Sequence, residues 1–239
     1  MTKNIKFIAK NEYGWNVCEK PFPAFQAIPD WWKNLPAYNS SREDNEEKTL
    51  IVKSGNSNAG PKKCVPMLDA ITSGYIIPLW ADVQVLQEKE TINITWRVSE
   101  DVFQFHGGHS NMIEKPVGYS SQVFKFLNTW RIVTPPGYSI LVTQPFGYRN
   151  TPFQAIPAII DTDKSTTEIL PPMWIKEDFE GIIEKGTPLV QIIPFKRDNW
   201  ESEFSYMNKD QYRYLEDRNF GSYIKNHYTR KVWQKKKYK

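Results

Sequence analysis

Cysteine is scarce in this sequence, which contains only Cys18 and Cys64. One disulfide could form between them, and the sequence alone does not decide whether they pair. A chain of 239 residues can bury a substantial core without a stabilising disulfide bond. The residues after Met1 are polar and form no apolar leader, so together with the scarce cysteine they favour a reduced, cytoplasmic setting.

Long hydrophobic runs and the common catalytic motifs are also missing. No apolar run approaches the length of a membrane-spanning helix, so the sequence predicts a soluble protein with no membrane partner. The sequence contains no glycine-rich loop of the Walker or dinucleotide type and no G-x-S-x-G nucleophile elbow. Neither cysteine has a histidine near it in the sequence. These absences argue against nucleophilic catalysis and against the standard phosphate-binding loops.

Aromatic residues and prolines are, in contrast, plentiful. Aromatics make up 14% of the chain, with nine tryptophans, and there are seventeen prolines. This composition favours strands and ordered loops over a helical bundle. The net charge of +4 is unevenly distributed, because residues 218–239 hold eight basic and no acidic side chains. The body that precedes this tail is therefore mildly acidic.

The first 63 residues are interpreted as an arm followed by a polar loop. Residues 5–9 form a short β-like run, and residues 21–38 alternate prolines with large aromatics. Asp30 could begin a short helical turn within this arm. We expect the arm to fill a groove on its own domain, the alternative being a peptide-like motif for a partner. Residues 39–63 are polar, and residues 49–53 within them could form an edge strand.

Residues 64–195 have the pattern of strands, and no helical period of useful length appears among them. Some runs alternate apolar and polar residues as half-buried strands do, and others are short and apolar. The predicted strands are residues 73–85, 90–98, 123–127, 140–143, 156–160, 168–170, 182–183 and 189–194. Residues 196–239 are more compatible with helix, and residues 209–215 could form one or two helical turns.

The order of strands and turns between residues 132 and 195 resembles the β-clip core of dUTPases and dCTP deaminases. Residues 135–137 (Pro-Pro-Gly) lead into the strand 139–143, as the Pro-Gly turn of that family does. In the family, an Arg-Ser-Gly loop then holds phosphates. Here residues 144–147 read Gln-Pro-Phe-Gly, so a proline removes a backbone donor and a phenylalanine replaces the hydroxyl.

The family's other two signatures are kept in part. Asp161 and Asp163 follow an apolar strand, where the resemblance implies an aspartate that orients water or bonds the deoxyribose. Acids at a strand end are also common as turn residues. Lys185 and Gly186 match a turn of the family, and the strand after it carries a glutamine. The resemblance implies Asp161 or Asp163 as catalytic residues with Mg²⁺ as cofactor, and its ligand-binding candidates are Tyr148, Arg149, Gln144 and Gln191.

Four short sequence segments resemble a second protein family, which is found in tailed phages of cyanobacteria and in some bacteria. They are residues 28–33 (IPDWWK), 125–128 (KFLN), 134–138 (TPPGY) and 185–188 (KGTP). This resemblance covers nearly the whole chain and brings no assigned activity. It implies the cytoplasm of a host cell as the location, with a virion as the alternative.

A histidine pair is the one candidate for a metal site. His106 and His109 are separated by two glycines, and Glu114 or Asp101 could complete a site of two histidines and one carboxylate. The alternative is a loop that uses its histidines for turn hydrogen bonds.

The basic tail interleaves aromatics with cations, a composition that suits single-stranded nucleic acid. The candidate residues are Arg230, Lys231, Trp233, Lys235, Lys236 and Lys237. The alternative is a tail whose aromatics dock on the body while its lysines face water.

Taken together, the sequence predicts a mainly β fold in one compact domain with three parts. Residues 1–63 are the aromatic and proline-rich arm and its loop, residues 64–195 a β-clip-like, dUTPase-like core, and residues 196–239 a partly helical basic extension. The predicted function is a non-catalytic binding or assembly protein of phage type. The alternatives are a divergent nucleotide hydrolase that uses Asp161 and Asp163, and a metal-dependent enzyme that uses His106 and His109. β-clip enzymes often form trimers, so that resemblance implies a homo-oligomer.

Overall fold

The structure, a computed structural model, describes residues 3–37, 60–89, 91–165, 167–215, 229 and 232–239. The chain divides into two compact units. The first comprises Met1–Lys33, Ala70–Arg197 and Tyr238–Lys239, and the second Asn34–Asp69 and Asp198–Lys237. The aromatic arm up to Lys33 and residues 70–195 of the predicted core belong to the first unit.

The first unit contains all fourteen strands found in the described residues. They are β1 (Lys6–Ala9), β2 (Phe22–Pro23), β3 (Tyr75–Pro78), β4 (Val83–Glu88), β5 (Thr91–Trp96), β6 (Phe103–Phe105), β7 (Tyr119–Phe126), β8 (Trp130–Val133), β9 (Tyr138–Thr143), β10 (Phe153–Ala155), β11 (Ala158–Ile160), β12 (Pro172–Lys176), β13 (Gly181–Ile183) and β14 (Pro188–Lys196).

Within the described residues these strands form four antiparallel sheets. A five-stranded sheet has the order β11-β9-β14-β3-β2, and a four-stranded sheet the order β10-β12-β7-β6. A three-stranded sheet has the order β13-β4-β5, and β1 pairs with β8. The mainly β fold predicted from the sequence is confirmed.

The central strand of the five-stranded sheet, β14, shows where the core lies. Residues 189–192 on it are all buried, because β9 and β3 pair with both of its edges and other elements cover both of its faces. Phe126, Phe153 and Met173, on strands of the four-stranded sheet, belong to the same buried cluster as Leu189. Phe126 and Leu189 lie within predicted strands, whereas Phe153 and Met173 lie outside them.

Three α-helices are bounded within the described residues: α1 (Glu12–Val17), α2 (Asp30–Asn34) and α3 (Val65–Thr72). Residues 209–215 are also helical, as predicted. Helix α1 begins after Asn11, whose side chain accepts the Gly14 amide hydrogen bond at 2.8 Å. Helix α2 confirms the helical turn expected from Asp30.

Helix α3 corrects the prediction that residues 64–195 contain strands alone. It is only eight residues long, too short to show a clear helical period in the sequence. Pro66 occupies its first turn, where a missing amide hydrogen costs nothing. Ile71 is the buried residue of this helix.

Three predicted strands also differ from the observed ones. The run 73–85 is interrupted after Pro78, because Leu79 bonds to the backbone of Thr187 and Gly186 at 2.8 and 2.7 Å instead of continuing β3. The run 156–160 contains one strand, β11, at its end, and β10 ends just before the run begins. Residues 168–170 form no strand, and β12 begins two residues later, where consecutive prolines obscured the pattern.

The two predicted glycine turns are confirmed. Gly137 and Gly186 have positive φ values of 83° and 85°, as the third residue of a type II turn requires. The turns close through hydrogen bonds from Tyr138 to Pro135 and from Thr187 to Glu184, of 3.1 and 3.2 Å.

Cys18 is a buried free thiol, and Cys64 is a partly exposed free thiol, so they form no disulfide. None of the described helices is both long and apolar enough to cross a bilayer. The edge strand suggested at residues 49–53 lies outside the described residues.

Candidate functional site

The two candidate aspartates lie together after β11 and share one arginine. Asp163 is almost fully buried, with 6% of its side chain exposed, and Arg197 donates two hydrogen bonds to its carboxylate, of 2.8 and 2.5 Å. The amide of Gly137 donates a third, of 2.8 Å. Because Gly137 lies in the Pro-Pro-Gly turn and Arg197 follows β14, this carboxylate fastens the turn to the end of the central strand.

Asp161 is bound to the same arginine but is more exposed, with 52% of its side chain accessible. Its Oδ1 accepts the hydroxyl hydrogen bond of Ser139 at 2.7 Å and lies 3.0 Å from Nη1 of Arg197. The same Nη1 donates to the Ser139 hydroxyl at 3.0 Å. The corner is therefore a network of two anions around one cation, which we call the Arg197 network (Ser139, Asp161, Asp163 and Arg197).

The Arg197 network holds both carboxyl groups in their charged form. Hydrogen bonds from Arg197 and from the Gly137 amide lower the pKa of Asp163 to about 2. The hydrogen bond from Ser139, with the charge of Arg197, lowers the pKa of Asp161. A general base is most effective when its pKa lies near the working pH, so these carboxylates are poor bases. The geometry favours a structural role for the pair.

Arg197 is a residue that the sequence reasoning missed. The signal that identifies it is the register of β9 with β14, which are antiparallel and place Lys196 opposite Tyr138. This register brings the residue after β14 to the start of β9, where the Pro-Pro-Gly turn ends. The period-2 pattern of each strand gives its buried face but does not reveal which distant strand it pairs with.

The loop 144–149 lies at the other end of β9. Ser139, near the start of this strand, contacts Asp161, whereas Gln144 directly follows its last residue. Five residue steps along a strand span about 17 Å. In the described part of the chain, no hydrogen bond or ion pair joins the two aspartates to the loop. The structure thus does not bring the candidate catalytic and ligand-binding residues to one site in this chain.

Gln191 binds this loop from the buried side. Its side chain is fully buried, and its Oε1 accepts the amide hydrogen bond of Phe146 at 2.8 Å. Its Nε2 donates to the carbonyls of Ala70 and Ser73 at 3.0 and 2.6 Å. The amide nitrogen and the amide oxygen of Gln191 are therefore both hydrogen-bonded within the protein. Gln191 presents no polar group to a ligand.

Gln144 and Tyr148 are likewise bonded within the protein. Gln144 accepts from the amide of Ala155 at 2.8 Å and donates to the hydroxyl of Thr151 at 3.1 Å. The hydroxyl of Tyr148 donates to the carbonyl of Ala27 at 2.8 Å, and burial raises the pKa of Tyr148. These contacts stabilise the fold of the loop.

The aromatic arm packs on the same loop. The indole of Trp31 donates to the carbonyl of Gly147 at 2.6 Å, and the guanidinium of Arg149 lies 5.9 Å from the centre of the Trp31 ring. Gly147 has a φ of 85°, and a Cβ on it would lie only 3.3 Å from side-chain atoms of Pro29 and Ile71. The arm therefore covers this loop, as expected for an arm that packs on its own domain.

The histidine pair lies in a tight turn. The rings of His106 and His109 lie 3.7 Å apart at their centres, and the amide of His109 donates to the carbonyl of His106 at 3.0 Å. Partial burial, with the charges of His109 and Lys125, lowers the pKa of His106. Within the described ranges, no group of three or more histidine, cysteine, aspartate or glutamate side chains is arranged to bind a metal ion. Neither Glu114 nor Asp101 completes such a group.

The described part of the basic tail has docked aromatic residues. The indole of Trp233 donates to both carboxylate oxygens of Asp69, at 3.1 and 2.9 Å, and Lys236 forms an ion pair with the same carboxylate. Tyr238 is half-buried, whereas Lys235 and Lys237 are exposed. The other two nucleic-acid candidates, Arg230 and Lys231, lie outside the described residues. Trp233 is held by its hydrogen bonds, which favours the docked tail over a free stacking surface.

A groove that the sequence reasoning did not identify lies beside β4 and β5. Its volume is about 430 Å³, and its lining includes Trp80, Trp96, Gln84, Arg97 and Lys185. The lining also includes Asp82, and Lys185 is ion-paired with Glu19 at 3.4 Å, so the groove combines indole rings with charges of both signs. In the sequence, only the aromatic residues of the runs that alternate apolar and polar residues pointed to this groove.

The sequence matches no known protein-family model and has no similar protein among the curated ones. The resemblances to β-clip enzymes and to the phage family therefore stay predictions.

Proposed function

We propose that this protein is a non-catalytic binding or assembly protein of phage type, built on a β-clip, dUTPase-like scaffold. The order of turns and strands supports the scaffold. The Pro-Pro-Gly turn leads into β9, the two aspartates follow β11, and the Lys-Gly turn leads into β14. Strands β11, β9 and β14 are neighbours in one antiparallel sheet.

The filled loop 144–149 is the observation that carries the proposal. A phosphate-binding loop needs backbone amides directed at the ligand. Here Pro145 has no amide hydrogen, and the amide of Phe146 is bonded to Gln191. The arm covers the loop through Trp31. The protein thus uses for its own packing the groups that a hydrolase would offer to a nucleotide.

The Arg197 network supports the same conclusion. A hydrolase needs a carboxylate that can take a proton from water, or that binds the sugar or a metal ion. Both aspartates already bind Arg197, and the pKa of each is lowered. They also lie about 17 Å along β9 from the loop that would hold the phosphates. A nucleotide could not contact both groups in one chain.

Incubation of the protein with a panel of deoxynucleoside triphosphates and Mg²⁺ tests this proposal. We expect no release of pyrophosphate or phosphate above the rate without protein, and no difference between the wild type and Asp161→Ala. The matched control is Asp178→Ala, which removes an exposed carboxylate outside the Arg197 network. Release that is lost in Asp161→Ala and kept in Asp178→Ala would overturn the proposal.

A further inference from the structure

Residues 199–207 (NWESEFSYM) expose three large aromatic side chains. The exposed fractions are 89% for Trp200, 94% for Phe204 and 92% for Tyr206. Single exposed apolar residues are common on protein surfaces, but a concentration of this kind indicates a surface used for binding. We call these nine residues the aromatic strand segment.

The sequence of this segment has the pattern of a β-strand. In an extended chain, successive side chains point to opposite faces. Trp200, Phe204 and Tyr206 would therefore share one face, and Glu201 and Glu203 would lie on the other. The segment contains no proline or glycine. In the structure it has no regular secondary structure, and none of the described strands pairs with it.

Strand β5 offers an edge on which such a strand could pair. Within the described residues, β5 has β4 as its one neighbour in the sheet. The amide of Ile92 donates to the side chain of Gln122 at 2.5 Å, so it points away from β4. Gln122 lies on β7, so the edge is occupied at Ile92. Backbone groups alternate along an antiparallel strand, and those of Ile94 therefore point to the same side, where no described strand pairs with them. An open edge of this kind readily pairs with an added strand.

Beside this edge lies an aromatic groove of about 240 Å³. Its lining residues include Ile94 and Trp96 of β5 and Phe103, Phe105 and Phe124 of β6 and β7. Phe105 exposes about half of its surface. Aromatic side chains from an added strand would bury apolar surface here and stack edge to face with these rings.

Charge at the two ends of β5 complements the aromatic strand segment. Lys89 and Lys115 line a depression at the Ile92 end, and Arg97 and Lys185 line the groove at the Trp96 end. The acids in these two linings are Glu177, which pairs with Lys115 at 3.0 Å, and Asp82. Lys185 is also ion-paired, with Glu19 at 3.4 Å, so the four bases exceed the three acids near them by one, whereas the segment offers Glu201 and Glu203. The attraction favours binding of the segment.

From these observations we infer that the aromatic strand segment of one copy adds to the β5 edge of a second copy and assembles the protein into a homo-oligomer. The same sequence supplies an aromatic, acidic segment that no described strand pairs with, and an edge strand that has an aromatic groove beside it and no described strand paired at Ile94. A heterologous contact of this kind closes into a dimer by reciprocal exchange, or into a ring. This inference deepens the assembly role proposed above and rests on it.

The mass of the full chain in solution tests the inference. We expect sedimentation velocity at about 50 µM protein to show a discrete oligomer for the wild type, and a monomer for the double variant Trp200→Ser, Phe204→Ser. Ile94→Pro should also give a monomer, because it removes an outward amide that β4 does not use. The control Val117→Ser, which alters a fully exposed apolar residue outside both surfaces, should remain oligomeric. A monomeric wild type would overturn the inference.

Photo-crosslinking from position 204 tests the contact itself and does not depend on the folding of the edge variants. A benzophenone side chain at this position should link two chains, with the attached peptide coming from β5, β6 or β7. Crosslinks confined to single chains, or between chains at another surface, would overturn the inference. Neither result depends on nucleotide hydrolysis, so failure here is distinguishable from failure of the proposed non-catalytic function.

Discussion

Replacement of Gln191 by alanine is expected to lower the free energy of unfolding by about 3 to 5 kcal/mol. The substitution leaves the amide of Phe146 and the carbonyls of Ala70 and Ser73 without their partner, and a buried unsatisfied polar group costs about 1 to 3 kcal/mol. A cavity in the central strand adds to this loss. Urea unfolding followed by tryptophan fluorescence measures the change.

Gln104→Ala is the matched control for this prediction. Gln104 lies on β6, and its side chain is exposed. Exposed substitutions of this kind usually change stability by less than about 0.5 kcal/mol. Equal effects of the two substitutions would show that Gln191 does not hold the loop 144–149. A stable Gln191→Ala protein that gained affinity for nucleotides would instead show that the loop can open.

Asp163→Asn is expected to destabilise the protein at neutral pH, and the difference from the wild type should shrink in acid. The pKa of Asp163 in the folded protein is about 2, below its ordinary value of 3.8. The stabilising contribution of this carboxylate is therefore fully present above pH 3.8 and is lost as the pH falls towards 2. Arg197 stays charged over this range, because its two acidic partners raise its pKa further.

Unfolding curves of both proteins at pH 7, 5, 4, 3 and 2, at constant ionic strength, measure this dependence. The gap between wild type and Asp163→Asn should be constant from pH 7 to 5 and then narrow below about pH 4. Asp178→Asn, at an exposed position, provides the control and should track the wild type more closely at every pH. A gap that stays unchanged from pH 5 to 2 would show that the Arg197 network does not stabilise the fold.

Local chemistry explains what the sequence predicted well. The Pro-Pro-Gly and Lys-Gly turns follow from the fixed φ of proline and the freedom of glycine at positive φ, which act over a few residues. Helix α2 was predicted because Asp30 in the aromatic arm is a favourable residue at the start of a helix. The sequence predicted β7, β9 and β14 from short apolar runs, because the buried positions of these strands carry apolar residues.

The pairing of distant segments explains what the sequence could not predict. Arg197 and Asp163 meet because β9 and β14 pair in one register, and no local pattern fixes that register. Gln191 is a ligand-binding candidate in the sequence because the strand after the family's Lys-Gly turn carries a glutamine. Its partners are carbonyls more than 100 residues away in the sequence, and only the folded chain shows that they satisfy it. The arm's contact with Gly147 is equally non-local.

Amide hydrogen exchange in the loop 144–149 tests the central claim most directly. That claim is that the protein's own groups occupy the loop that the proposed β-clip resemblance equates with a phosphate-binding loop. We expect the Phe146 amide to be protected in the protein alone, and its exchange rate to be unchanged by millimolar deoxynucleoside triphosphate with Mg²⁺. Rapid exchange in the protein alone, followed by protection when nucleotide is added, would contradict the claim.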